Sequence, residues 1–173
     1  MEENKVSVII PIYKVEKFIE RCVRSLMEQT LQEVEYIFVD DANPDKSIEI
    51  LERCLVLYPN RKSVILYHAQ NQGLPAARNT GLQVASGKYI FHCDSDDFVE
   101  KDMLEVMYKT AKEKDADIVY SDFYLSFEKN ERYMSCPLYE TTSDMLKVGL
   151  LGGNMKYNVW NKLVRRTLYT DNN

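Results

Sequence analysis

The sequence lacks the features that assign many chains to a class at once. Its four cysteines, Cys22, Cys54, Cys93 and Cys136, form no CxxC pair and no zinc-like cluster. We expect them to be small buried hydrophobes in a protein of a reducing compartment. No apolar run approaches the ~20 residues of a membrane span, and residues 1–5 lack the apolar core of a signal peptide. A cytoplasmic location is therefore expected.

A basic stripe is also missing. The net charge is −5 and the basic residues are scattered, whereas duplex-binding proteins typically carry a basic patch. No nucleic-acid partner is therefore expected. The exception is the group Lys162, Arg165 and Arg166, which either binds phosphates or anionic lipid or forms a solvated face. A peripheral contact with the inner face of the membrane stays open on this ground.

The 173 residues, 45% of them apolar and 28% charged, suffice for one α/β domain with a real core. Val6–Ile12 is a nearly unbroken apolar run, which is typical of a strand covered on both faces. Helical spacing of apolar residues follows from Val15 to Met27. Further strand candidates, separated by helix-like segments, are Tyr36–Val39, Val64–Tyr67, Tyr89–Cys93 and Ile118–Tyr120.

This alternation of strands and helices predicts right-handed crossovers and a mainly parallel sheet, and hence the α/β class. After Asp122 the pattern changes. A hairpin is predicted within Ser126–Tyr139 and a strand within Val159–Val164. There is no clear linker between the two parts.

Unusual polar residues follow three of the predicted strands, where α/β sheets bind ligands. They are Pro11-Ile12-Tyr13, Asp40-Asp41 and the acidic turn Asp94–Asp97. Carboxylates crowded in one turn raise one another's pKa, so their clustering is costly unless a cation offsets it. Mg²⁺ and Mn²⁺ accept one or two carboxylates and fill their other positions with phosphate and water. The turn therefore predicts a metal bridging to a diphosphate, while helix capping before Met103 is the alternative.

Four sequence blocks occur in order: VSVIIPIYK, YIFVDDANPD, NQGLPAARNTGL and GKYIFHCDSDDF. Together they resemble family 2 glycosyltransferases of the GT-A fold, and the later VWNKLVRR is similar to a weaker signature of bacterial members. The resemblance implies an α/β/α sandwich with a mainly parallel central sheet and an incomplete C-terminal part. Residues 1–122 would form the nucleotide-sugar-binding core, and residues 123–173 would begin the acceptor-binding part of the same domain.

The resemblance also implies site residues. A nucleotide site would contain Pro11, Tyr13, Asp41, Arg78 and Asp94. In it, Pro11 and Tyr13 would border the nucleobase, Asp41 would accept a hydrogen bond from the uracil ring N–H, and Arg78 would face the nucleotide or diphosphate, unless it forms a surface salt bridge. Asp94 would touch the ribose or the metal region, and Asp96 would be the ligand of Mn²⁺ or Mg²⁺.

Other positions of these blocks affect the site indirectly. Asp40 would fix the turn after its strand, and Gly81 would shape the contact between helix and sheet. The family commonly has Asp-Asp-Gly-Ser where this chain has Asp40-Asp41-Ala42-Asn43. If that turn needs a positive φ at Ala42, a Cβ is unfavourable there. His68 and His92 lie near strand ends, but neither has a paired ligand nearby in sequence, so no metal role is expected.

The implied reaction moves a sugar from a nucleotide diphosphate donor, with a UDP-sugar favoured by the resemblance, to a hydroxyl of a saccharide or lipid-linked saccharide. It would proceed with inversion, in cell-surface polysaccharide or lipopolysaccharide synthesis. Family members usually have their general base beyond the WNKL-like segment, so we expect it beyond Asn173. The chain is then expected to be a truncated piece that binds nucleotide with metal, transfers sugar poorly, and exposes surface on which a homodimer could form.

Three alternatives differ in class. A phosphoacceptor receiver domain needs an acidic pair after its first strand, where this chain has Pro11-Ile12-Tyr13. A nucleotidyltransferase usually carries a glycine-rich basic loop there, and PIYKVEKF contains no glycine. The third alternative, a non-catalytic nucleotide-sugar-binding module, is compatible with the sequence.

Overall fold

The computed structural model of the chain describes residues 4–127, 130–139, 141–144, 146–147 and 158–171. The strands are β1 (Val6–Ile12), β2 (Val34–Asp40), β3 (Lys62–Tyr67), β4 (Tyr89–His92), β5 (Ile118–Tyr120), β6 (Phe123–Ser126), β7 (Glu131–Met134) and β8 (Lys162–Arg165). The helices are α1 (Ile19–Met27), α2 (Ser47–Leu55), α3 (Leu74–Val84), α4 (Met103–Glu113), α5 (Thr142–Asp144) and α6 (Thr167–Thr170). Strands and helices alternate as far as β5, as the sequence predicts.

The central sheet of the described part has six strands in the order β3-β2-β1-β4-β8-β5. β1 pairs in parallel with both β2 and β4, and β3 pairs in parallel with β2. β8 runs antiparallel between β4 and β5. The predicted mainly parallel sheet is therefore confirmed. The strand predicted within Val159–Val164 exists, but it begins at Lys162.

Helices cover both faces of this sheet, which explains the unbroken apolar run of β1. All seven residues of β1 are buried. Val8 and Ile10 pack with residues of α1, α2 and α4 on one face. Ile9 points to the other face, where it packs with Ile37 and with Ala77 of α3. Apolar side chains are needed on both sides of such a strand, so the two-residue alternation of a half-exposed strand is absent.

The cysteines behave largely as small hydrophobes. Cys22, Cys54 and Cys93 are buried, and all four cysteines are free thiols. Cys136 differs, because it is only partly buried and its Sγ donates to the carbonyl oxygen of Ser121 over 3.3 Å.

The region after β5 contains the predicted hairpin and the basic group. β6 and β7 pair antiparallel, although the first strand begins at Phe123, earlier than predicted. Arg165 forms ion pairs with Asp115 at 2.8 Å and with Asp117 at 2.7 Å, and Nε of Arg166 donates to the carbonyl oxygen of Gly87 over 2.9 Å. These two guanidinium groups thus bind acceptors of the protein itself. None of the helices in the described ranges has the length and apolar character that crossing a membrane requires.

Candidate functional site

A crevice opens at the carboxyl end of the sheet, between β1 and β4. The pairing of β1 with β4 ends at Ile9 and His92, whereas its pairing with β2 continues to Ile12 and Asp40. Pro11 lies beyond the last β1–β4 pair, so its missing N–H leaves no ladder bond unmade. The strand order reverses at β1, and the loops that follow the two diverging strands leave room for a ligand between them.

A cavity of about 430 Å³ occupies this crevice. Its volume is within the ~300–1,000 Å³ of small-molecule sites. It is lined by residues from the ends of β1, β2 and β4 and from the start of α3, and five of the six predicted site residues are among them: Pro11, Tyr13, Asp41, Asp94 and Asp96. The sequence predicted that these strand ends meet, and the fold brings them to one cavity.

The sixth predicted residue, Arg78, reaches the same place from α3. Its Nη2 lies 2.5 Å from Oδ1 of Asp94, and both side chains are about three-quarters buried. Nε of Arg78 is buried and has no hydrogen-bond partner among the described residues. A buried donor without a partner is uncommon, and this one lies on a side chain that is bonded to Asp94, a residue of the cavity wall.

The acidic turn Asp94–Asp97 follows β4 directly and is closed by a bond from the Asp97 N–H to the Asp94 carbonyl oxygen over 3.1 Å. Asp94 is mostly buried, whereas Asp96 and Asp97 are partly open to solvent. Partial burial, followed by the charges of Asp96 and Asp94, raises the pKa of Asp97 to about 6. Arg21 opposes this shift and donates to the Asp96 carbonyl oxygen at 3.5 Å. The turn therefore holds negative charge that its own protein surroundings only partly offset.

The donors around this turn fit a divalent cation that also binds a ligand. No group of three or more histidine, cysteine, aspartate or glutamate side chains suited to a metal occurs in the part of the chain that the structure describes. With Asp94 paired to Arg78, Asp96 is the carboxylate that lines the cavity without a bonded partner among the described residues. One or two carboxylates, completed by phosphate oxygens and water, are an ordinary set for Mg²⁺ or Mn²⁺. The capping alternative is weak, since α4 begins at Met103 and its N-cap is Asp102, which lies beyond the turn.

Asp41, at the end of β2, is held by an extensive set of donors. Its Oδ1 accepts from the Gln72 N–H at 2.8 Å and lies 2.7 Å from Nδ1 of His68, while its Oδ2 accepts from the Gly73 N–H at 2.8 Å. Asp41 is 3% exposed. Burial opposes ionisation, but the donors from Gln72, His68 and Gly73 hold the pKa of Asp41 below its ordinary value. The carboxylate is therefore an ionised acceptor on the wall of the cavity.

The sequence analysis treats His68 only as a possible metal ligand and does not predict its contact with Asp41. The sequence does contain a signal for this contact, because the β2 and β3 candidates follow each other along the chain and His68 comes directly after β3. In the sheet, Asp40 pairs with Tyr67, and the His68 N–H donates to the Asp40 carbonyl oxygen over 2.9 Å. His68 follows a parallel strand just as Asp41 and Asp94 do, so the same rule places it at the carboxyl edge of the sheet.

The turn after β2 has the strained conformation that its sequence suggested. Ala42 has a φ of 54°, in the left-handed region. The predicted role of Asp40 in fixing this turn is confirmed, since its Oδ1 accepts from the Asn43 N–H at 2.7 Å. Oδ1 of Asn43 in turn accepts from the Lys14 N–H at 2.6 Å, which joins the loops after β1 and β2. The strain at Ala42 is therefore tolerated beside the cavity because neighbouring bonds fix the turn.

Sequence comparison relates the chain to known enzymes. Residues 7–170 match the family described as Glycosyl transferase family 2. The chain is 37% identical over 187 aligned positions to the cholesterol galactosyltransferase of Borreliella burgdorferi, in an alignment that covers 100% of this chain and 51% of that protein. The chain spans about half the length of the curated relatives that match it first.

Solved structures share the fold. S. aureus TarS in complex with UDP superposes with a TM-score of 0.79 at 24% identity, covering 97% of this chain and 48% of that one, and TarS is also known with UDP-GlcNAc. The mannosyltransferase PcManGT from Pyrobaculum calidifontis, in complex with GDP-Man and Mn²⁺, gives a TM-score of 0.63 at 24% identity over 69% of this chain and 36% of that one. The predicted GT-A α/β fold is confirmed, and the chain belongs to family 2 of the glycosyltransferases.

Proposed function

We propose that this chain is the nucleotide-sugar-binding part of an inverting glycosyltransferase that uses a UDP-sugar donor. The acceptor would be a hydroxyl of a saccharide or lipid-linked saccharide, in cell-surface polysaccharide or lipopolysaccharide synthesis. The observation that carries the proposal is the single cavity that Asp41, Asp94 and Asp96 line, with Arg78 bonded to Asp94 at its edge. The site thus combines a hydrogen-bond acceptor for a base, a cationic group for phosphate and carboxylates for a cation.

The chemistry of Asp41 supports uracil as the base. An ionised carboxylate only accepts hydrogen bonds, so it favours a base edge that donates a ring N–H. Uracil presents such an N–H at N3, and guanine at N1, whereas the ring nitrogens of cytosine and adenine on this edge are acceptors. Pro11 and Tyr13 border the same cavity and would contact the base and its ribose. TarS binds UDP and UDP-GlcNAc, which supports the uridine alternative over guanosine.

Arg78 and the acidic turn support binding of the diphosphate with a cation. The unpaired Nε of Arg78 would donate to a phosphate oxygen. Asp96 would hold Mn²⁺ or Mg²⁺, and Asp94 would contact the ribose or the same ion. The bound cation would offset negative charge on the leaving diphosphate. PcManGT, whose complex contains Mn²⁺ and GDP-Man, supports a divalent cation in this fold.

In the proposed reaction the acceptor oxygen bonds to the anomeric carbon as the bond from that carbon to the diphosphate oxygen breaks. A general base must take the hydroxyl proton. We assign that base to the part of the longer relatives that this chain does not match, since the chain spans about half of their length. Residues 1–122 would then form the donor-binding core, with residues 123–173 beginning the acceptor part. The chain alone should bind donor and transfer sugar poorly.

The test is a thermal-shift panel on the 173-residue chain with UDP, GDP, CDP and ADP, each with and without Mn²⁺. A ligand at a hundred times its Kd stabilises by about 2.7 kcal/mol, or roughly 5–11 °C for a domain of this size. We expect the largest shift with UDP and Mn²⁺. Asp96→Asn should remove the part that depends on Mn²⁺, whereas the matched control Asp102→Asn, at the N-cap of α4, should keep it. Equal shifts for all four nucleotides, or an unchanged Mn²⁺ effect in Asp96→Asn, would refute the assignment.

A further inference from the structure

His68 connects the carboxylate of Asp41 to helix α3. Its Nδ1 lies 2.7 Å from Oδ1 of Asp41, and its Nε2 lies 2.8 Å from Oγ1 of Thr80. The side chains of His68 and Asp41 are 6% and 4% exposed. His68 does not line the cavity, so it acts on a ligand there only through Asp41.

The carboxylate fixes the direction of the contact between His68 and Asp41. Because an ionised carboxylate has no proton to give, Nδ1 of His68 must carry the hydrogen and donate to Oδ1 of Asp41. Nε2 of His68 is hydrogen-bonded to the Thr80 hydroxyl, a group that can donate or accept. The ring is therefore held at both nitrogens, between helix α3 and Asp41.

This contact determines which oxygen of Asp41 faces the ligand. Oδ1 accepts two bonds, from His68 and from the Gln72 N–H, which uses both of its lone pairs. Oδ2 accepts one bond, from the Gly73 N–H, and keeps one lone pair. The terminal torsion of an aspartate is broad, so the carboxylate can rotate when its donors are removed. His68 is the one side chain among the described residues whose bond opposes that rotation.

We propose that His68, supported by Thr80, is a positioning residue that sets nucleobase selectivity by presenting Oδ2 of Asp41 to the ring N–H of the base. This inference rests on the proposed function, in which Asp41 accepts that N–H. Loss of the His68 bond leaves the carboxylate held only by the Gln72 and Gly73 N–H groups, which loosens its orientation and weakens the directional contact with the base. Contacts to ribose and diphosphate are unaffected, so the loss appears as reduced discrimination between bases.

Two substitutions separate the two ends of the ring. His68→Asn places an amide N–H where Nδ1 stands and keeps the bond to Asp41. His68→Gln places its amide near the position of Nε2, where it contacts Thr80 and not Asp41. The readout is the ratio of Kd for N3-methyl-UDP to Kd for UDP, measured by calorimetry with Mn²⁺, because the methyl group replaces the ring N–H and its added bulk is the same in every variant compared. Changes in stability alone affect both ligands equally and leave this ratio unmoved.

For the unsubstituted chain we expect a ratio of roughly 10–100, as for a hydrogen bond to a charged group. His68→Asn should stay within about threefold of that ratio, whereas His68→Gln should lower it by more than about threefold, since one of the three donors that orient Asp41 is lost. A His68→Gln variant with the full ratio would overturn the role of His68 and leave the Asp41 contact standing. A ratio near unity in the unsubstituted chain would instead refute the Asp41 contact and the proposed function.

Thr80→Val provides a second measurement if His68→Gln does not fold. Valine has nearly the shape of threonine but cannot hydrogen-bond to Nε2, so the ring stays present and loses its support from α3. An intermediate ratio supports the proposal, and a ratio equal to that of the unsubstituted chain contradicts it.

Discussion

The Arg78 guanidinium lies 2.5 Å from the Asp94 carboxylate, so helix α3 supplies a cation to the acidic turn that follows β4. The pair neutralises one carboxylate of a crowded group and holds Arg78 against Asp94, which lines the cavity. The neighbouring Asp96 keeps an open carboxylate. One ion pair thus separates the turn into a part bound by protein and a part that is available to a ligand.

Removal of the Arg78 charge should weaken binding of the diphosphate selectively. We expect Arg78→Gln to raise the Kd of UDP by roughly 10–100-fold, the effect of losing a hydrogen bond to a charged group. The Kd of uridine, which has no phosphate, should change by only a few fold in the same titration calorimetry. Arg24→Gln, which removes an exposed arginine paired with Glu20, is the control and should change neither. Equal losses for UDP and uridine would exclude a phosphate contact.

The left-handed conformation of Ala42 predicts a stabilising substitution. A non-glycine residue in this region costs about 1–2 kcal/mol, and glycine removes that strain. Glycine also makes the unfolded chain more flexible, which lowers the free energy of unfolding by about 0.4–1 kcal/mol. Ala42→Gly should therefore raise the free energy of unfolding by about 0.5–1 kcal/mol in urea titrations. Ala42→Val should lower it, because a β-branched side chain suits this conformation least. If Ala42→Gly is less stable than the unsubstituted chain, the left-handed backbone at Ala42 does not destabilise the fold.

A buried carboxylate at the opposite end of the sheet should contribute to stability against acid. Oε1 of Glu35 accepts from the Ser7 hydroxyl at 2.5 Å and the Ser86 N–H at 2.7 Å, and Oε2 accepts from Asn4 at 2.8 Å and pairs with Lys62 at 3.2 Å. Burial opposes ionisation, yet these donors hold the pKa of Glu35 below its ordinary value of 4.5. The resulting stability is complete above pH 4.5 and is lost as the pH falls through 4.5 toward the lowered value.

Glu35→Gln should therefore lower the free energy of unfolding at pH 7 by about 2–3 kcal/mol, since donors then face an amide. It should also flatten the fall in stability below pH 4.5, measured by urea denaturation at several pH values. Glu33→Gln is the matched control: its pair with Lys5 is partly exposed, and its loss should cost less than about 1 kcal/mol. If the free energy of unfolding of Glu35→Gln falls below pH 4.5 as steeply as that of the unsubstituted chain, other carboxylates cause the fall.

Gly81→Ala should lower the free energy of unfolding, because α3 packs closely on the sheet at Gly81. A Cβ at Gly81 would lie 2.5 Å from Cγ2 of Ile9 and 3.4 Å from Cγ2 of Val39. Overpacking costs about 1–3 kcal/mol, against about 1 kcal/mol gained from helix propensity. A net loss of up to about 2 kcal/mol is expected in thermal or urea unfolding. Gln83→Ala, exposed on the same helix, should change stability by less than about 0.5 kcal/mol.

The fold was predictable wherever the pattern is local. β1 has the predicted bounds, because burial on both faces requires a continuous apolar run in the sequence. β5 begins at Ile118 as predicted, although Ile118 itself is exposed. The position of β8 was not predictable from the same pattern. Its four residues, KLVR, lie between two strands that precede it by a long stretch of chain, and nothing in a short strand identifies a distant partner.

The site divides in a similar way. The strand-end rule predicted that Pro11, Asp41 and Asp94 meet at one edge, and they line one cavity. It did not predict that the Asp41 carboxylate accepts bonds from the 72–73 backbone and from His68. Those bonds depend on side-chain torsions and on loop geometry, which leave no periodic trace in the residues themselves.

The antiparallel strand β8 also has a consequence for biosynthesis. A ribosome releases β1–β5 well before residues 162–165 emerge. Until then β4 has an unpaired outer edge, and β5 lacks the strand with which it pairs. Such edges attract other chains, so the nascent polypeptide passes through an aggregation-prone stage. The loop that follows β4, which contains the acidic turn, is anchored to a finished sheet only when the last strand inserts.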